Sequence, residues 1–324
     1  MKSIYSAGLL MLAFLGMMPL LSRAQQQMSK DELIYLTPEW KGERFPDGRP
    51  KVPDDIITRM KDVSIEEAWA TIGGSNFNYQ IAEDWPIQIN PDSVLCGRAF
   101  TTQFMPYRPD MWKQINDRGQ KLGLKGQNVW GVDQLQKGDV YVADQFGLHK
   151  NGPTIGDRVA TTIYAKTGNG IVYDGAIRDL EGLKEIGRFT SFVSSYTPSF
   201  HNPRGDMNTM IMGVETPIRI RQVTVMPGDV VLGKEGMVIF IPPHLAEKVV
   251  KASEKTRLED MFAHIRVMEG KYNAGQMDAG WPADIRADYL AWLKASYDNK
   301  KMKLPVARTQ VAEILAASAV NNVH

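Results

Sequence analysis

The chain has 324 residues, of which 43% are hydrophobic and 23% charged, a composition typical of a globular protein with a substantial core rather than a disordered or fibrous one. Its 38 Lys and Arg residues against 37 Asp and Glu residues leave a net charge of +1, so overall charge does not favour nucleic acid or an anionic membrane as a partner. This length predicts one domain with extensions, or two domains.

Residues 1–24 have the pattern of a secretory signal peptide. Lys2 provides a basic start, an apolar run covers 8–21, and Ser and Ala at either end of 22–24 provide small residues for cleavage. The run is 14 residues long, shorter than the roughly 20 of a membrane-spanning helix, which disfavours a permanent anchor. We therefore expect a secreted or periplasmic protein with no membrane attachment after cleavage.

The next segments predict an arm, a helix and a strand. Residues 25–53 are rich in Pro, Gly and charged residues, which is typical of an arm without its own core. Apolar residues recur at helical spacing over 54–70, and a strand is predicted at 92–104. The single cysteine, Cys96, lies in that strand among apolar neighbours, so we expect a buried packing residue rather than a nucleophile.

The middle of the chain alternates strands and helices. After an irregular polar segment at 105–135, the pattern predicts a strand at 139–144, a helix at 156–167 and a strand at 170–174. The order strand, helix, strand predicts an α/β unit with a right-handed crossover.

The chain contains two copies of a Gly-Asp-Val sequence, and each copy begins a β-run. They occur in KGDVYVAD from residue 137 and in PGDVVLGKEGMVIFIP from residue 227, where GKEG between two apolar runs predicts a hairpin. A long amphipathic helix is predicted at 244–268, followed by one more helix at 282–297 and a tail rich in small residues. The predicted divisions are a signal peptide at 1–24, an N-terminal arm at 25–53, an α/β domain at 54–270 and a C-terminal helical extension at 271–324.

Several common functional motifs fail on inspection. GDVVLGKE has Glu235 where a phosphate-binding loop needs Ser or Thr, and GNGIVY has Tyr173 where a dinucleotide fingerprint needs its third glycine. The five histidines form no HExxH pair, and no G-x-S-x-G sequence exists. These classes of nucleotide, zinc and serine-nucleophile site are therefore disfavoured.

The charged stretch YDGAIRDLEG, residues 173–182, is the strongest candidate for chemistry, because charge beside a buried strand must be paired or bind something. Gly156 and Asp157 begin the preceding predicted helix, where free N–H groups and the helix dipole favour an anion. Arg178 and Asp179 follow the next strand, at the end where ligands of open α/β sheets bind. The two pairs are expected to face one crevice; the alternative is that Arg178 and Asp179 form only a surface ion pair or a helix cap.

The run IGDRVATTIYAKTGNGIVYDGAIRD, preceded by KGDVYVAD and followed by PGDVVLGKEGMVIFIPPHLAEKVV, resembles the RraA-like family over about residues 54–270. That family contains the pyruvate-releasing 4-hydroxy-4-methyl-2-oxoglutarate aldolases and the regulators of ribonuclease E activity. The resemblance implies an α/β fold of the swivelling β/β/α type, assembled as homotrimers or homohexamers with sites between subunits.

The resemblance also implies roles for the site residues in a lyase that uses Mg²⁺ or Mn²⁺. Asp179 would hold the ion, partly through waters. Arg178 would bind the pyruvyl oxygen and stabilise the enolate. Backbone N–H groups at Ile155, Gly156 and Asp157 would bind the carboxylate, and Asp157 would order a water that relays the proton.

The chain departs from the family pattern at one position and leaves another open. Family members carry an acidic residue three positions after the Asp of the Arg-Asp pair, where this chain has Gly182, with Glu181 one position earlier. In family aldolases a further acidic ligand comes from the C-terminal helix of the neighbouring subunit. Our candidate for it is Glu259, chosen over Glu254 and Glu269.

The expected function is retro-aldol cleavage of a 4-hydroxy-2-oxo acid, decarboxylation of oxaloacetate, or both, since the two reactions share pyruvate enolate. A Schiff-base route through Lys150 or Lys166 is the chemical alternative. A non-catalytic binding protein is the alternative from another class, although the ribonuclease regulators act on a cytoplasmic enzyme that an exported chain would not meet. A third possibility is an exported enzyme that uses the same metal site on a sugar-derived acid, with specificity set by 105–135.

Overall fold

A computed structural model describes residues 27–148, 152–199 and 208–321. The predicted signal peptide and Lys150 lie outside the described residues. The described helices, in chain order, are α1 Lys30–Leu36, α2 Asp54–Met60, α3 Ile65–Gly73, α4 Pro109–Lys121, α5 Asp157–Thr167, α6 Leu180–Lys184, α7 Ala246–Met268, α8 Ala274–Met277, α9 Ala283–Asp298 and α10 Arg308–Asn321. The described strands are β1 Ile81–Ala82, β2 Ile87–Ile89, β3 Leu95–Pro106, β4 Asp139–Asp144, β5 Ile171–Ile177, β6 Ser191–Tyr196, β7 Thr209–Val214, β8 Ile218–Ile220, β9 Val223–Val225, β10 Val230–Lys234 and β11 Met237–Ile241.

One mixed sheet organises the protein. Its strand order is β1-β11-β10-β3-β4-β5-β6-β2, and β7 also pairs with β3. Strands β3, β4, β5 and β6 run parallel to one another, while β10, β11, β1 and β2 are antiparallel to their partners. The strand–helix–strand unit predicted from the sequence is β4–α5–β5, so the α/β fold class is confirmed.

Both faces of the parallel strands are covered, so nearly every residue of β3, β4, β5 and β6 is buried. On one face, Ile171 and Tyr173 pack with Ala160 and Ile163 of α5. On the other face, Val172 packs beneath the β8–β9 hairpin. Because successive side chains of a strand point to opposite faces, these contacts establish which face each residue of β5 serves.

Three segments differ from the sequence prediction. The helix expected at 54–70 is two helices, because Ser64 accepts a hydrogen bond from the Glu67 N–H while the Glu67 carboxylate accepts one from the Ser64 N–H, a capping box that starts α3. The segment 105–135, predicted as irregular, contains α4, which buries Ile115 and packs Gly119 against the Trp130 ring.

The C-terminal tail is also helical where a small-residue tail was predicted. Helix α10 buries Val311 in a separate aromatic core that includes Phe262 of α7 and Trp292 of α9. The packing of these helices on α7 supplies the stability that the sequence of the tail does not indicate. No helix in the described part of the chain combines the length and apolar character needed to cross a membrane.

The arm is fastened to the domain by a buried cation. The Arg49 guanidinium lies 2.7 Å from Asp139 Oδ1 and 2.9 Å from Glu215 Oε2, with all three side chains fully buried. It also lies over the Phe45 ring, 4.4 Å from the ring centroid. Burial raises the pKa of Glu215 to about 8, and the attraction of Arg49 opposes that rise.

Cys96 is buried in β3, as predicted. Its thiol donates to the carbonyl oxygen of Ile57 at 3.5 Å, and burial raises the pKa of Cys96 to about 12. A thiol in this environment stays protonated and packs as a small apolar side chain.

We predict that Arg49→Met lowers the free energy of unfolding by about 3–5 kcal/mol, because it leaves Asp139 and Glu215 buried without their cation. Urea denaturation followed by tryptophan fluorescence measures the change. Lys51→Met is the matched control on the same arm, since Lys51 pairs with Glu43 at the surface, and it should cost less than about 1 kcal/mol. An equal loss in both variants would contradict the role of Arg49.

Candidate active site

The end of β5 and the start of α5 are joined by the backbone. Ile155 forms a parallel bridge with Ile177, and the Arg178 N–H donates to the Ile155 carbonyl at 3.0 Å. Because this bond holds the two segments in register, the residues that follow β5 lie directly beside the first turn of α5.

Gly156 allows this contact to be close. A Cβ at this position would lie 2.4 Å from Asp179 Oδ2 and 2.9 Å from Arg178 Nε, so both side chains rest on the backbone of Gly156. Arg178 Nε and Asp179 Oδ2 are 3.4 Å apart, and the two side chains are 29% and 40% exposed. The pair is therefore fixed on one side and open to solvent on the other.

Asp179 precedes α6 in a left-handed conformation, with φ of 59°. A non-glycine residue pays a conformational cost there, and such positions are common at functional sites. Its side chain makes no capping hydrogen bond. Of the two alternatives considered for Arg178 and Asp179, the ion pair is present and the side-chain cap is absent.

Gly182, at the position where the resemblance implies an acidic residue, faces Asp157. A Cβ on Gly182 would lie 2.9 Å from the Cβ of Asp157 and 3.3 Å from its Oδ2. Asp157 is partly buried, and its Oδ1 accepts a hydrogen bond from the Arg158 N–H at 2.7 Å. A side chain at 182 would crowd this carboxylate, and Glu181, one position earlier, lines the same cleft as Asp157.

Asp157, Arg178 and Asp179 line one polar cleft of about 930 Å³. Ile155 and Gly156, which were also predicted to bind the substrate, are buried and are not among its lining residues. The cleft is lined by Asp157, Arg158, Arg178, Asp179, Leu180, Glu181, Gly182, Lys184, Tyr196 and Pro198.

Sequence reasoning missed Arg158, Lys184 and Tyr196. Tyr196 ends the next parallel strand, β6, and is 43% exposed, so its position at a strand end was the signal that could have found it.

Asp174 is buried next to the site and does not line the cleft. It shares the sheet face of Val172, opposite α5, and is only 7% exposed. Its carboxylate accepts hydrogen bonds from the Ser194 hydroxyl at 2.6 Å and from the Arg221 N–H at 3.4 Å. In the adjacent strand, burial raises the pKa of Asp144. The charges of YDGAIRD thus divide between a buried structural carboxylate and an ion pair that is open to solvent.

The three acidic candidates on the C-terminal helix lie elsewhere in the same chain. Glu254 pairs with Arg59 at 2.7 Å, and Glu269 pairs with Arg266 at 2.8 Å. Glu259 lies on α7, 3.6 Å from Lys255, beside the C-terminal helices. None of the three lines the Arg178 cleft of its own chain. Glu259 could therefore reach such a cleft only in a neighbouring subunit.

The Schiff-base alternative gains no support from Lys166. Its ammonium donates to the Asp133 carbonyl at 2.9 Å in an exposed setting, and Lys166 is not among the cleft residues. A nucleophilic lysine needs a desolvated or electropositive environment, which this position does not provide.

The donor set of the cleft fits a divalent ion that keeps most of its water. Among residues 27–148, 152–199 and 208–321, no three His, Cys, Asp or Glu side chains form a metal-binding group. Mg²⁺ typically binds through one or two carboxylates and retains several waters. The partly exposed carboxylate of Asp179, which makes no capping bond, meets that requirement.

Comparisons of the sequence and of the structure with known proteins agree with the α/β fold described above. The model of the RraA-like family, described as Aldolase/RraA, matches residues 65–239. Protein DlpA of Legionella pneumophila is 25% identical over 167 residues, a match that covers 51% of this chain and 24% of DlpA, so the chain spans about a quarter of that relative.

Two solved structures share the architecture. Streptomyces coelicolor RraAS2, an unusual member of the RNase ES inhibitor RraA protein family, superposes with a TM-score of 0.56 at 22% identity, covering 67% of this chain and all (100%) of that one. An uncharacterized protein from Pseudomonas syringae superposes with a TM-score of 0.54 at 18% identity, covering 73% of this chain and 99% of the other. At these identities the likeness concerns the fold alone.

We predict that Ser194→Ala lowers the free energy of unfolding by about 1–3 kcal/mol, because the buried carboxylate of Asp174 loses a donor. Ser191→Ala, on the same strand, is the matched control: the Ser191 hydroxyl is buried without a partner among the described residues, so its removal should cost nothing or stabilise slightly. Chemical denaturation of both variants measures the difference, and equal losses would disprove the role of Ser194.

Proposed function

The chain belongs to the RraA-like family, and on that premise we propose that it is a divalent-metal-dependent lyase that forms pyruvate enolate. The reaction would be retro-aldol cleavage of a 4-hydroxy-2-oxo acid, decarboxylation of oxaloacetate, or both. The family includes aldolases as well as regulators, so the choice depends on the site. The observation that carries it is the Arg178–Asp179 pair resting on Gly156 at the open cleft.

The first turn of α5 binds the substrate carboxylate in this proposal. The helix is 11 residues long, with Gly156 as its N-cap and Asp157 as its first residue, so their N–H groups lie at its positive end. Ile155 precedes the cap, is buried and pairs with Ile177, so its part in the proposal is to hold this end of the helix beside β5. Arg178 is fastened beside these N–H groups by its backbone bond to Ile155. A 2-oxo acid bound by its carboxylate at the helix start therefore presents its oxo oxygen to the guanidinium.

Arg178 stabilises the negative charge that develops on that oxygen. Because the guanidinium is always protonated and is already held in position, it needs little reorganisation during the reaction. Carbon–carbon cleavage and decarboxylation both leave the same enolate, so one arginine serves both reactions.

Asp157 orients the water that exchanges protons with the substrate, and Gly182 leaves room for its carboxylate. Asp179 would hold the divalent ion through its partly exposed carboxylate, and Glu259 of a neighbouring subunit is our candidate for a further ligand. When bound, the ion supplies a Lewis acid that withdraws charge from the oxo acid. The proposal includes export through the predicted signal peptide and assembly as a homotrimer or homohexamer; proteins of this family are typically oligomeric.

We predict that the chain from Gln25 onward releases pyruvate from 4-hydroxy-4-methyl-2-oxoglutarate or from oxaloacetate when Mg²⁺ or Mn²⁺ is present. Chelation with EDTA should abolish the reaction, and added ion should restore it. Arg178→Ala should lower kcat by about 10²–10³-fold, because a preorganised charge opposite the enolate is lost. A coupled assay for pyruvate measures each effect.

Arg108→Ala is the matched control, since Arg108 pairs with Asp110 at the surface outside the cleft. Activity that survives both chelation and Arg178→Ala would disprove the proposed site. Absence of pyruvate in a folded protein that still binds the ion would indicate another exported acid, such as a sugar-derived one. Absence of ion binding as well would favour the non-catalytic binding protein.

We also predict that Gly156→Ala lowers the activity while leaving the stability nearly unchanged. The added Cβ would displace Arg178 and Asp179, whose side-chain ends are partly exposed, so the free energy of unfolding should change by less than about 1 kcal/mol. Because misplacement of about 1 Å can cost about 10²-fold in rate, kcat should fall by that order. Gly280→Ala, where a Cβ meets nothing within 4 Å, should leave both unchanged. Full activity in Gly156→Ala would contradict the proposed geometry.

A further inference from the structure

A second cavity, of about 300 Å³, lies between the N-terminal arm and the sheet and shares no residue with the Arg178 cleft. The arm supplies Trp40 and Glu39, and the rest of the domain supplies Phe77, Asp229 and His244. Most of the surrounding side chains are apolar or aromatic, so the cavity offers a ligand a largely apolar environment with a few polar groups.

Asp229 is the unusual member of this lining. It belongs to the second Gly-Asp-Val sequence and is only 3% exposed. Its Oδ2 accepts a hydrogen bond from the Met226 N–H at 2.8 Å, and its Oδ1 has no partner among the described residues. A buried carboxylate without a cation is costly, unless it is protonated or a ligand compensates for it.

The first Gly-Asp-Val sequence shows how the carboxylate charge in the same turn is compensated elsewhere in this protein. Asp139 accepts a hydrogen bond from the Gln136 N–H at 2.9 Å, the equivalent of the Met226 bond, and its other oxygen binds the Arg49 guanidinium at 2.7 Å. Arg49 in turn lies over the rings of Phe45 and Phe100, at 4.4 Å and 5.3 Å from their centroids. One turn thus holds a cation between carboxylates and aromatic rings.

The cavity at Asp229 has the same components without the cation. Trp40 and Phe77 supply aromatic rings, and Glu39 supplies a second carboxylate. The described residues that line it include no Lys or Arg. The remaining titratable group is His244, whose pKa is lowered by burial, so the imidazole is neutral at pH 7. The lining therefore carries negative charge beside aromatic faces, which is the chemistry that recognises ammonium ions.

We propose that this cavity binds a small organic ammonium ion with an apolar body, its charged end at Asp229 and its apolar part against Trp40 and Phe77. The occupant takes the place that Arg49 occupies at Asp139. The site is separate from the lyase cleft, so the inference does not depend on the proposed function.

The affinity should rise with pH through the neutral range. Burial raises the pKa of Asp229 to about 7, so the carboxylate that attracts the ligand becomes charged as pH increases. Protonation of His244 at low pH acts in the same direction, because a charged imidazole repels the ligand.

The test uses the purified full-length chain and three probes of similar size, each with one phenyl ring: benzylammonium, benzyl alcohol and benzoate. Isothermal titration calorimetry should show that benzylammonium binds at least 10-fold more tightly than the alcohol or the acid, because only the cation compensates Asp229. Asp229→Asn, which keeps an oxygen for the Met226 N–H, should reduce that affinity by at least 10-fold.

Glu39→Gln changes an exposed side chain and leaves the core intact, so it tests the site even if Asp229→Asn fails to fold. It should weaken the binding of benzylammonium several-fold and leave the binding of benzyl alcohol unchanged. Glu43→Gln, on the same arm but paired with Lys51 at the surface, should change nothing. Equal affinity for the cation and the alcohol, unchanged affinity in Glu39→Gln or in folded Asp229→Asn, or no binding of benzylammonium would overturn the proposal.

Discussion

The requirement that buried charge be compensated shapes this protein more than any other single constraint. At Arg49 it is met by two buried carboxylates and two aromatic rings, which attach the arm to β4 and to the segment after β7. Arg98 meets it through the carbonyl of Val52 and the carboxylate of Asp54, which attaches the end of the arm to β3. The arm has no core of its own, so these polar contacts position it on the domain.

At the candidate active site, the charged side chains of Arg178 and Asp179 pair with each other and are also partly exposed to solvent. Asp174 and Arg178 come from the same short stretch, yet Asp174 is buried and bonded to Ser194, while Arg178 is open to the cleft. The difference follows from the sheet, since Asp174 shares the face covered by the β8–β9 hairpin and Arg178 lies past the strand end.

The two cavities differ in their lining because different elements form them. The Arg178 cleft is built by strand ends and helix starts of the α/β unit, and its six charged residues balance in sign. The Asp229 cavity depends on the arm, whose Trp40 and Glu39 close it over the sheet. The position of the arm, and hence of Arg49, therefore affects the second cavity without touching the first.

Local sequence by itself determined the elements whose patterns are complete within a few residues. The strand at 139–144, the helix of α5 and the β10–β11 hairpin followed from apolar runs and turn residues, and the placement of Arg178 and Asp179 at a strand end followed from their order. The break between α2 and α3 was also local, because Ser64 and Glu67 have the spacing of a capping box, and was missed.

Tertiary structure alone decided what each charged residue contacts. The contact of Gly182 with Asp157, the face occupied by Asp174 and the presence of Tyr196 in the cleft depend on which segments the sheet brings together. The two Gly-Asp-Val turns make the point most directly. Asp139 and Asp229 have the same local sequence and the same backbone hydrogen bond, yet only Asp139 has a cation, because only there does the folded arm deliver Arg49. Sequence specifies the turn, whereas long-range packing specifies its partner.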